Sequence, residues 1–88
     1  MSLREKIASG EFVVCAELGP PQSCDDAVIR KKAGCFRGVV DAVNITDNQT
    51  AIVRLSSIAA GRILLEEGVE PIVQMTCRDR NRIAIQSD

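Results

Sequence analysis

The sequence predicts an α/β fold in which short parallel strands alternate with amphipathic helices. Strand-like apolar runs begin at Phe12, Val39 and Ile72, about 30 residues apart, which suits repeated βα units. A helix-like pattern follows each run, and the loops between them are short. Strands joined by helices pair in parallel through right-handed crossovers. No low-complexity segment or linker interrupts the pattern, so we expect residues 1–88 to form a single block.

The first two elements are a short helix and a strand. Ser2 can cap a helix over Leu3 to Ala8, which Gly10 closes. The apolar run Phe12 to Leu18 then predicts the first strand. The segment Gly19-Pro20-Pro21 ends it, because proline fixes φ and lacks a backbone donor.

The second helix and second strand follow the double proline. Either Ser23 or Asp25 can cap this helix. Its apolar positions recur at helical spacing and are Ile29, Ala33 and Phe36. Gly38 is a suitable stop, and Val39 to Thr46 predicts the second strand.

The third helix is predicted to be the longest. Asn48 or Thr50 can cap it, and it should run to about Glu67 before Gly68 ends it. Its apolar positions recur at intervals of three and four and are Ile52, Leu55, Ile58, Ala59, Ile63 and Leu65.

A third strand and a fourth helix complete the pattern. Pro71 begins the strand, which continues over Ile72 to Cys77, because proline is tolerated at the first position of a strand. Asp79 or Asn81 can then open the fourth helix.

The parity of the strands separates two faces of the sheet, because alternate side chains point to opposite sides. One face is aliphatic and carries Val14, Ala16, Leu18, Val43, Ile45, Val73 and Met75. The other face gathers polar side chains toward the strand ends, namely Glu17, Asn44, Thr46, Gln74 and Thr76. This is the pattern of a (βα)8 TIM barrel with a polar mouth. A complete barrel needs eight units and about 250 residues, so we expect the first three units of an incomplete barrel.

Composition narrows the possible functions. A formal charge of −1 gives no electrostatic reason to expect nucleic acid or an acidic membrane as a partner. The absence of histidine removes histidine-based catalysis and most metal sites. No apolar run approaches the roughly 20 residues that span a bilayer, so we expect a cytoplasmic protein. The four cysteines form no C-x-x-C pair, and we expect them to be buried, reduced thiols.

Three stretches carry a resemblance to a known enzyme family. They are Ala16-Glu17-Leu18-Gly19-Pro20-Pro21, Asp41 to Asn48 (DAVNITDN) and Pro71 to Asn81 (PIVQMTCRDRN). In this order and at these spacings, the chain resembles the N-terminal part of methylenetetrahydrofolate reductase over essentially its whole length. The sequences of the second and third stretches resemble most closely those of bacterial family members of the acetyl-CoA-pathway type.

The resemblance implies a function and a set of site residues. The family uses FAD on a TIM barrel to reduce 5,10-methylenetetrahydrofolate to 5-methyltetrahydrofolate, usually with NAD(P)H as donor. Glu17 matches the general acid, and burial at an apolar strand end would favour its protonated form. Thr46 matches a family position at the flavin and the nicotinamide, and Asp47 matches a flavin-contacting position. Gln74 falls where many members have a histidine, so it can hydrogen-bond the flavin but cannot titrate.

The resemblance also implies what these residues lack. The family has an Arg-Gly-Asp-like segment on strand four, and residues 1–88 do not contain it. We therefore expect the 88 residues alone to hold neither FAD nor folate tightly and to be inactive. In the complete enzyme we expect a folate substrate, NAD(P)H or another reductant, and either a homo-oligomer or a partner subunit.

Other interpretations stay open at this stage. Glu17 could be a solvated carboxylate or the partner of a lysine. Asp79 could cap a helix rather than belong to a binding site. The three arginines near it could form a solvated face rather than bind phosphate; these arginines are Arg78, Arg80 and Arg82. The whole chain could be non-catalytic and self-associate through its sheet edges. It could also belong to a barrel enzyme for a pterin or corrinoid methyl carrier, in which Asn44 would bind the pterin.

Overall fold

The computed structural model describes residues 2–88 and confirms the alternation of strands and helices. The elements are α1 (Leu3–Ala8), β1 (Cys15–Leu18), α2 (Asp26–Phe36), β2 (Ala42–Ile45), a 3-10 turn (Gln49–Ala51), α3 (Ser57–Glu66), β3 (Pro71–Val73) and α4 (Arg82–Ser87). No helix within residues 2–88 combines the length and the apolar character that crossing a membrane requires.

The three strands form one parallel sheet in the order β1-β2-β3. The register pairs Glu17 with Asn44 and Ile45 with Val73. Within the described residues β1 and β3 each pair only with β2, so the sheet is open and has two free edges. Three parallel strands are thus confirmed, whereas the structure shows no closed barrel.

Each strand is shorter than the sequence predicts. The run from Phe12 joins the ladder only at Cys15, and the run from Val39 joins it only at Ala42. The third strand ends at Val73, because beyond it the backbone turns toward the end of β2. Apolar patterning marks residues compatible with a strand, but ladder length depends on where the neighbouring strands overlap.

Local capping decides two of the alternatives in the sequence. Asp25, not Ser23, caps α2 by accepting a hydrogen bond from the Ala27 N–H at 3.0 Å. Asn81, not Asp79, caps α4 by accepting one from the Ala84 N–H at 2.9 Å. Each cap satisfies a donor that has no partner within its own helix.

Helix α1 is tied to the amino ends of the strands. The Lys6 ammonium lies 2.5 Å from a carboxylate oxygen of Asp41, which directly precedes β2. The Leu3 N–H donates to the side chain of Glu70, which precedes β3, at 2.7 Å. Because α1 lies at this edge, the carboxyl edge of the sheet stays free for a site.

The core lies on one face of the sheet, beneath α2 and α3. Its buried members are Leu18, Ile29, Ala33, Val43, Ile45, Ala60, Leu64 and Val69. The aliphatic face predicted from strand parity is therefore confirmed at its centre. The prediction is wrong at the margins of this face, where Met75 is 39 % exposed and Val14 and Val73 are also exposed. These three residues lie outside β1 and β2, the strands that the core covers. The opposite face, with Cys15 and Glu17, is exposed.

Helix α3 begins later than predicted and buries a different face. Asn48, Thr50 and Ala51 have positive φ angles of 47°, 59° and 59°, which an α-helix does not allow. The helix therefore begins after Ser56, which caps it through the Ile58 N–H. Its buried positions are Ser57, Ala60, Gly61 and Leu64, whereas the predicted Ile52, Ile58, Ala59 and Leu65 are exposed.

The expectation of buried cysteines is wrong. Cys15, Cys24, Cys35 and Cys77 are all free and exposed. Cys15 lies on the uncovered sheet face, Cys24 and Cys77 lie in loops, and Cys35 lies on the outer side of α2. For Cys15 the apolar neighbours in the sequence did not indicate burial, because no element within residues 2–88 covers that face.

Two helical glycines are expected to respond oppositely to alanine. At Gly61 a Cβ would lie 2.8 Å from Cγ2 of Val73, a stiff β-branched side chain, so Gly61→Ala should destabilise the fold by about 1–3 kcal/mol. At Gly34 a Cβ would meet nothing within 4 Å, so Gly34→Ala should stabilise it by about 1 kcal/mol. Urea unfolding of the two variants checks both signs. Stabilisation by Gly61→Ala would show that α3 does not pack this closely on the sheet.

Candidate functional site

A cavity of about 260 Å³ opens at the carboxyl ends of the three strands. Its lining residues are Glu17, Thr46, Asp47, Gln49, Thr50, Gln74, Thr76 and Arg78. All four site residues predicted from the sequence, Glu17, Thr46, Asp47 and Gln74, are therefore brought together. They come from the ends of three different strands, which is where parallel α/β proteins place their binding sites.

Glu17 is delivered to this cavity by β1. Its side chain lies on the uncovered face beside Asn44, its partner in the strand register, which is half-buried. Within residues 2–88 no lysine or arginine lies at salt-bridge distance from its carboxylate, so the lysine-pair interpretation is wrong for the described chain. The expected burial of Glu17 is also wrong, because no element covers this face.

Thr46 directly follows β2 and is 4 % exposed. Its N–H donates to the Leu18 carbonyl at 3.2 Å, but its buried hydroxyl Oγ1 has no hydrogen-bond partner among the described residues. An unpaired buried polar group costs about 1–3 kcal/mol, and native proteins keep few of them. Thr46 thus lines the cavity, and its buried hydroxyl has no partner within residues 2–88.

Asp47 is 2 % exposed, and its carboxylate is hydrogen-bonded within the protein, chiefly through Oδ2. Its Oδ2 accepts hydrogen bonds from the Thr76 N–H at 2.7 Å, from the Thr76 hydroxyl at 3.1 Å and from the Arg80 guanidinium. The Arg80 hydrogen bond, more than the bonds from Thr76, lowers the pKa of Asp47 below its ordinary value. Asp47 is therefore ionised at neutral pH.

Gln74 directly follows β3, and its backbone is held from both sides. Its N–H donates to the Ile45 carbonyl at 3.2 Å, and its carbonyl accepts from the buried Ser57 hydroxyl at 2.8 Å. The side chain is exposed and faces the cavity with an amide that can both donate and accept. Strand β2 and helix α3 thus each hold the backbone of Gln74 by one hydrogen bond and leave its side chain unused.

Sequence reasoning missed Gln49, Thr50 and Arg78 as cavity residues. The signal that could have found them is position, because Gln49 and Thr50 lie in the 3-10 turn that follows β2 and Arg78 lies in the loop that follows β3. Arg78 donates to the Asn48 carbonyl at 2.9 Å and to both carboxylate oxygens of Asp79. That pairing lowers the pKa of Asp79. Asp79 thus contacts Arg78, whereas Asn81 caps α4.

The arginines of this segment are mostly committed to carboxylates. Arg78 binds Asp79, and Arg80 binds Asp47 and Asp88. Arg82 is exposed at the start of α4. A phosphate bound to Arg78 or Arg80 would share the guanidinium with these carboxylates, whose negative charge would repel it.

A second cavity of about 260 Å³ lies at the opposite, amino edge of the sheet. Its charged groups already have partners: Asp41 binds Lys6, Glu70 binds the Leu3 N–H, and Arg37 binds Glu67. Volume does not distinguish the two cavities. The distinguishing groups are the Thr46 hydroxyl, which has no hydrogen-bond partner within residues 2–88, and the Glu17 carboxylate, which forms no salt bridge there. They make the carboxyl-edge cavity the candidate site.

The chemistry available at this site is acid–base and hydrogen-bonding chemistry. Glu17 can donate or accept a proton, while Thr46 and Gln74 supply neutral donors and acceptors. Within residues 2–88, no three side chains from histidine, cysteine, aspartate and glutamate gather to hold a metal ion.

Comparisons of the chain with protein-family models, with curated proteins and with solved structures gave no match. Function has therefore to be inferred from the residues themselves.

Proposed function

We propose that this chain is part of a flavin-dependent oxidoreductase that reduces 5,10-methylenetetrahydrofolate to 5-methyltetrahydrofolate, with Glu17 as the general acid. One observation carries the proposal. Glu17, Thr46, Asp47 and Gln74, which the family resemblance selects from three separate strand ends, line one cavity. A parallel sheet brings its carboxyl strand ends together in any case, so this convergence supports the proposal only in combination with the motifs that carry the family resemblance.

The architecture supports the proposal that further βα units complete a barrel. Helices α2 and α3 cover one face of the sheet, and α1 lies at its amino edge. The other face and both sheet edges are uncovered among the described residues. Additional parallel strands would pair with these edges and would enclose the face that carries Cys15 and Glu17.

Glu17 would act on the methylene bridge of the folate. Its carboxyl group would donate a proton to the amine nitrogen that leaves the bridging carbon. The electron pair of the broken C–N bond stays on that nitrogen, and the bridging carbon becomes part of an iminium. A carboxyl group keeps its proton near neutral pH only when it is shielded from water, so the remaining barrel and the folate would have to cover Glu17.

The residues at this edge would contact one side of a bound flavin. The unpaired Thr46 hydroxyl and the Gln74 amide could hydrogen-bond the polar edge of its ring system. Pockets that enclose cofactor-sized ligands usually measure about 300–1,000 Å³, so a cavity of about 260 Å³ can form only part of such a site. A bound, reduced flavin would supply the hydride that reduces the iminium carbon.

Flavin content tests the proposal. The 88-residue chain and the complete product of the reading frame that contains it should be purified in parallel and their visible spectra recorded. We expect the complete product to carry FAD and the 88 residues alone to be colourless. FAD bound to the short chain would contradict the partial-site interpretation, and a complete product unable to bind added FAD would contradict the proposed function.

A second candidate is a non-catalytic protein that assembles with copies of itself. Two exposed apolar side chains, Phe12 at 86 % and Val53 at 85 %, and the two free sheet edges favour it. Light scattering distinguishes the candidates when it is combined with the flavin spectra. A flavin-free oligomer of one defined size, formed by both polypeptides, would favour assembly over catalysis.

A further inference from the structure

The side chain of Asp47 connects two segments that are far apart in the sequence. Asp47 follows β2, and its Oδ2 receives the Thr76 N–H, the Thr76 hydroxyl and the Arg80 guanidinium from the segment between β3 and α4. Hydrogen bonds to an ionised group are shorter and stronger than neutral ones. Asp47 therefore holds the segment after β3 against the end of β2.

Arg80 extends this connection. The Nη1 atom that binds Asp47 also donates to the Thr76 carbonyl at 2.7 Å, and Nε lies 2.8 Å from a carboxylate oxygen of Asp88. One guanidinium thus contacts the end of β2, the segment after β3 and the residue that follows α4. The segment it fixes, residues 74–78, contributes Gln74, Thr76 and Arg78 to the cavity wall.

We propose that Asp47 and Arg80 are a positioning pair, which sets the place of residues 74–78 and so shapes one wall of the cavity without contacting the ligand. This inference rests on the proposed function only in taking the cavity as the site. It revises the role that the family resemblance implies for Asp47. A carboxylate whose Oδ2 already accepts three hydrogen bonds and whose charge Arg80 balances offers little to a flavin.

Hydrogen exchange together with FAD titration tests the pair in the complete polypeptide. Asp47→Asn removes the charge with little change in size, and Asp25→Asn is the matched control, because asparagine caps a helix as well as aspartate. In ligand-free protein we expect Asp47→Asn to speed exchange in residues 74–81 by about 10-fold or more and to leave residues 42–46 unchanged. Its dissociation constant for FAD should rise by a similar factor, whereas the control should change neither quantity.

Three further variants extend the test, and the two single substitutions at Arg80 do not depend on whether Asp47→Asn folds. Arg80→Lys keeps the charge but loses the paired N–H donors of the guanidinium. We expect the exchange rate of residues 74–81 in this variant to lie between the rate in the original protein and the rate in Arg80→Gln. The double variant Asp47→Asn/Arg80→Gln should exchange no faster than Asp47→Asn, because the two side chains act as one unit. Independent, additive effects of the two substitutions would overturn the pairing.

The outcomes separate this inference from the proposed function. If Asp47→Asn weakens FAD binding while exchange in residues 74–81 is unchanged, Asp47 contacts the flavin directly and the inference is wrong. Faster exchange with unchanged FAD affinity would show that the pair supports the fold but not the site, and would also overturn it. If the original protein binds no FAD, the proposed function fails, and the exchange rates alone still decide whether the pair holds the segment.

Discussion

Glu17→Gln in the complete polypeptide is expected to abolish reduction of methylenetetrahydrofolate while flavin reduction by the electron donor continues. Glutamine matches glutamate in size and keeps hydrogen bonding, but it has no acidic proton to give. General acid catalysis contributes about 10²–10⁴-fold, so we expect the rate of the folate half-reaction to fall by that range. Flavin reduction should stay within about 2-fold, because it needs no proton from this side chain.

Stopped-flow absorbance of the flavin measures the two half-reactions separately. Glu11→Gln is the matched control, because Glu11 is an exposed glutamate outside the cavity and should affect neither half-reaction. Equal loss of both half-reactions in Glu17→Gln would indicate a damaged site and not a missing acid. An unchanged folate half-reaction would contradict the role of Glu17 altogether.

Thr46→Val is expected to make the fold more stable and the binding of FAD weaker. The Thr46 hydroxyl is buried and has no partner in the part of the chain that the structure describes, and valine has nearly the same shape but no polar group to desolvate. We expect the free energy of unfolding to rise by about 1 kcal/mol. If the hydroxyl is there to bind the ligand, its loss should raise the dissociation constant for FAD by about 10-fold.

A gain in stability together with a loss of FAD affinity identifies Thr46 as a binding residue, because a merely structural residue would not show both. Thr46→Ser keeps the hydroxyl and is the control, so its affinity for FAD should stay close to that of the original protein. Urea unfolding without ligand and fluorescence titration with FAD measure the two quantities. A loss of stability in Thr46→Val would indicate that the hydroxyl already has a partner in the folded chain.

The parts of the fold that depend on local physics were predictable from the sequence. Ser2 and Glu5 form a capping box at α1, and the buried positions of α2, Ile29 and Ala33, follow from their spacing. The start of α3 was not predictable in this way. Thr50 and Ala51 adopt positive φ, which their residue types do not favour, so the break before α3 is imposed by its surroundings.

The site was predictable to a similar degree. Strand parity and position placed Glu17, Thr46 and Gln74 at one edge, because parallel strands bring their carboxyl ends together. The ion pair of Asp47 with Arg80, which are 33 residues apart, has no local signal. The exposure of Glu17 depends on what covers the sheet, and neither spacing nor composition carries that information.

The most direct test of the proposed function is a single turnover on the flavin. The complete polypeptide, with its FAD reduced under anaerobic conditions, is mixed with 5,10-methylenetetrahydrofolate, and flavin absorbance and folate products are followed together. We predict that flavin is reoxidised as an equal amount of 5-methyltetrahydrofolate forms. Reoxidation no faster with the folate than without it, or with no methylated product, would contradict the proposal that Glu17, Thr46 and Gln74 serve this reaction.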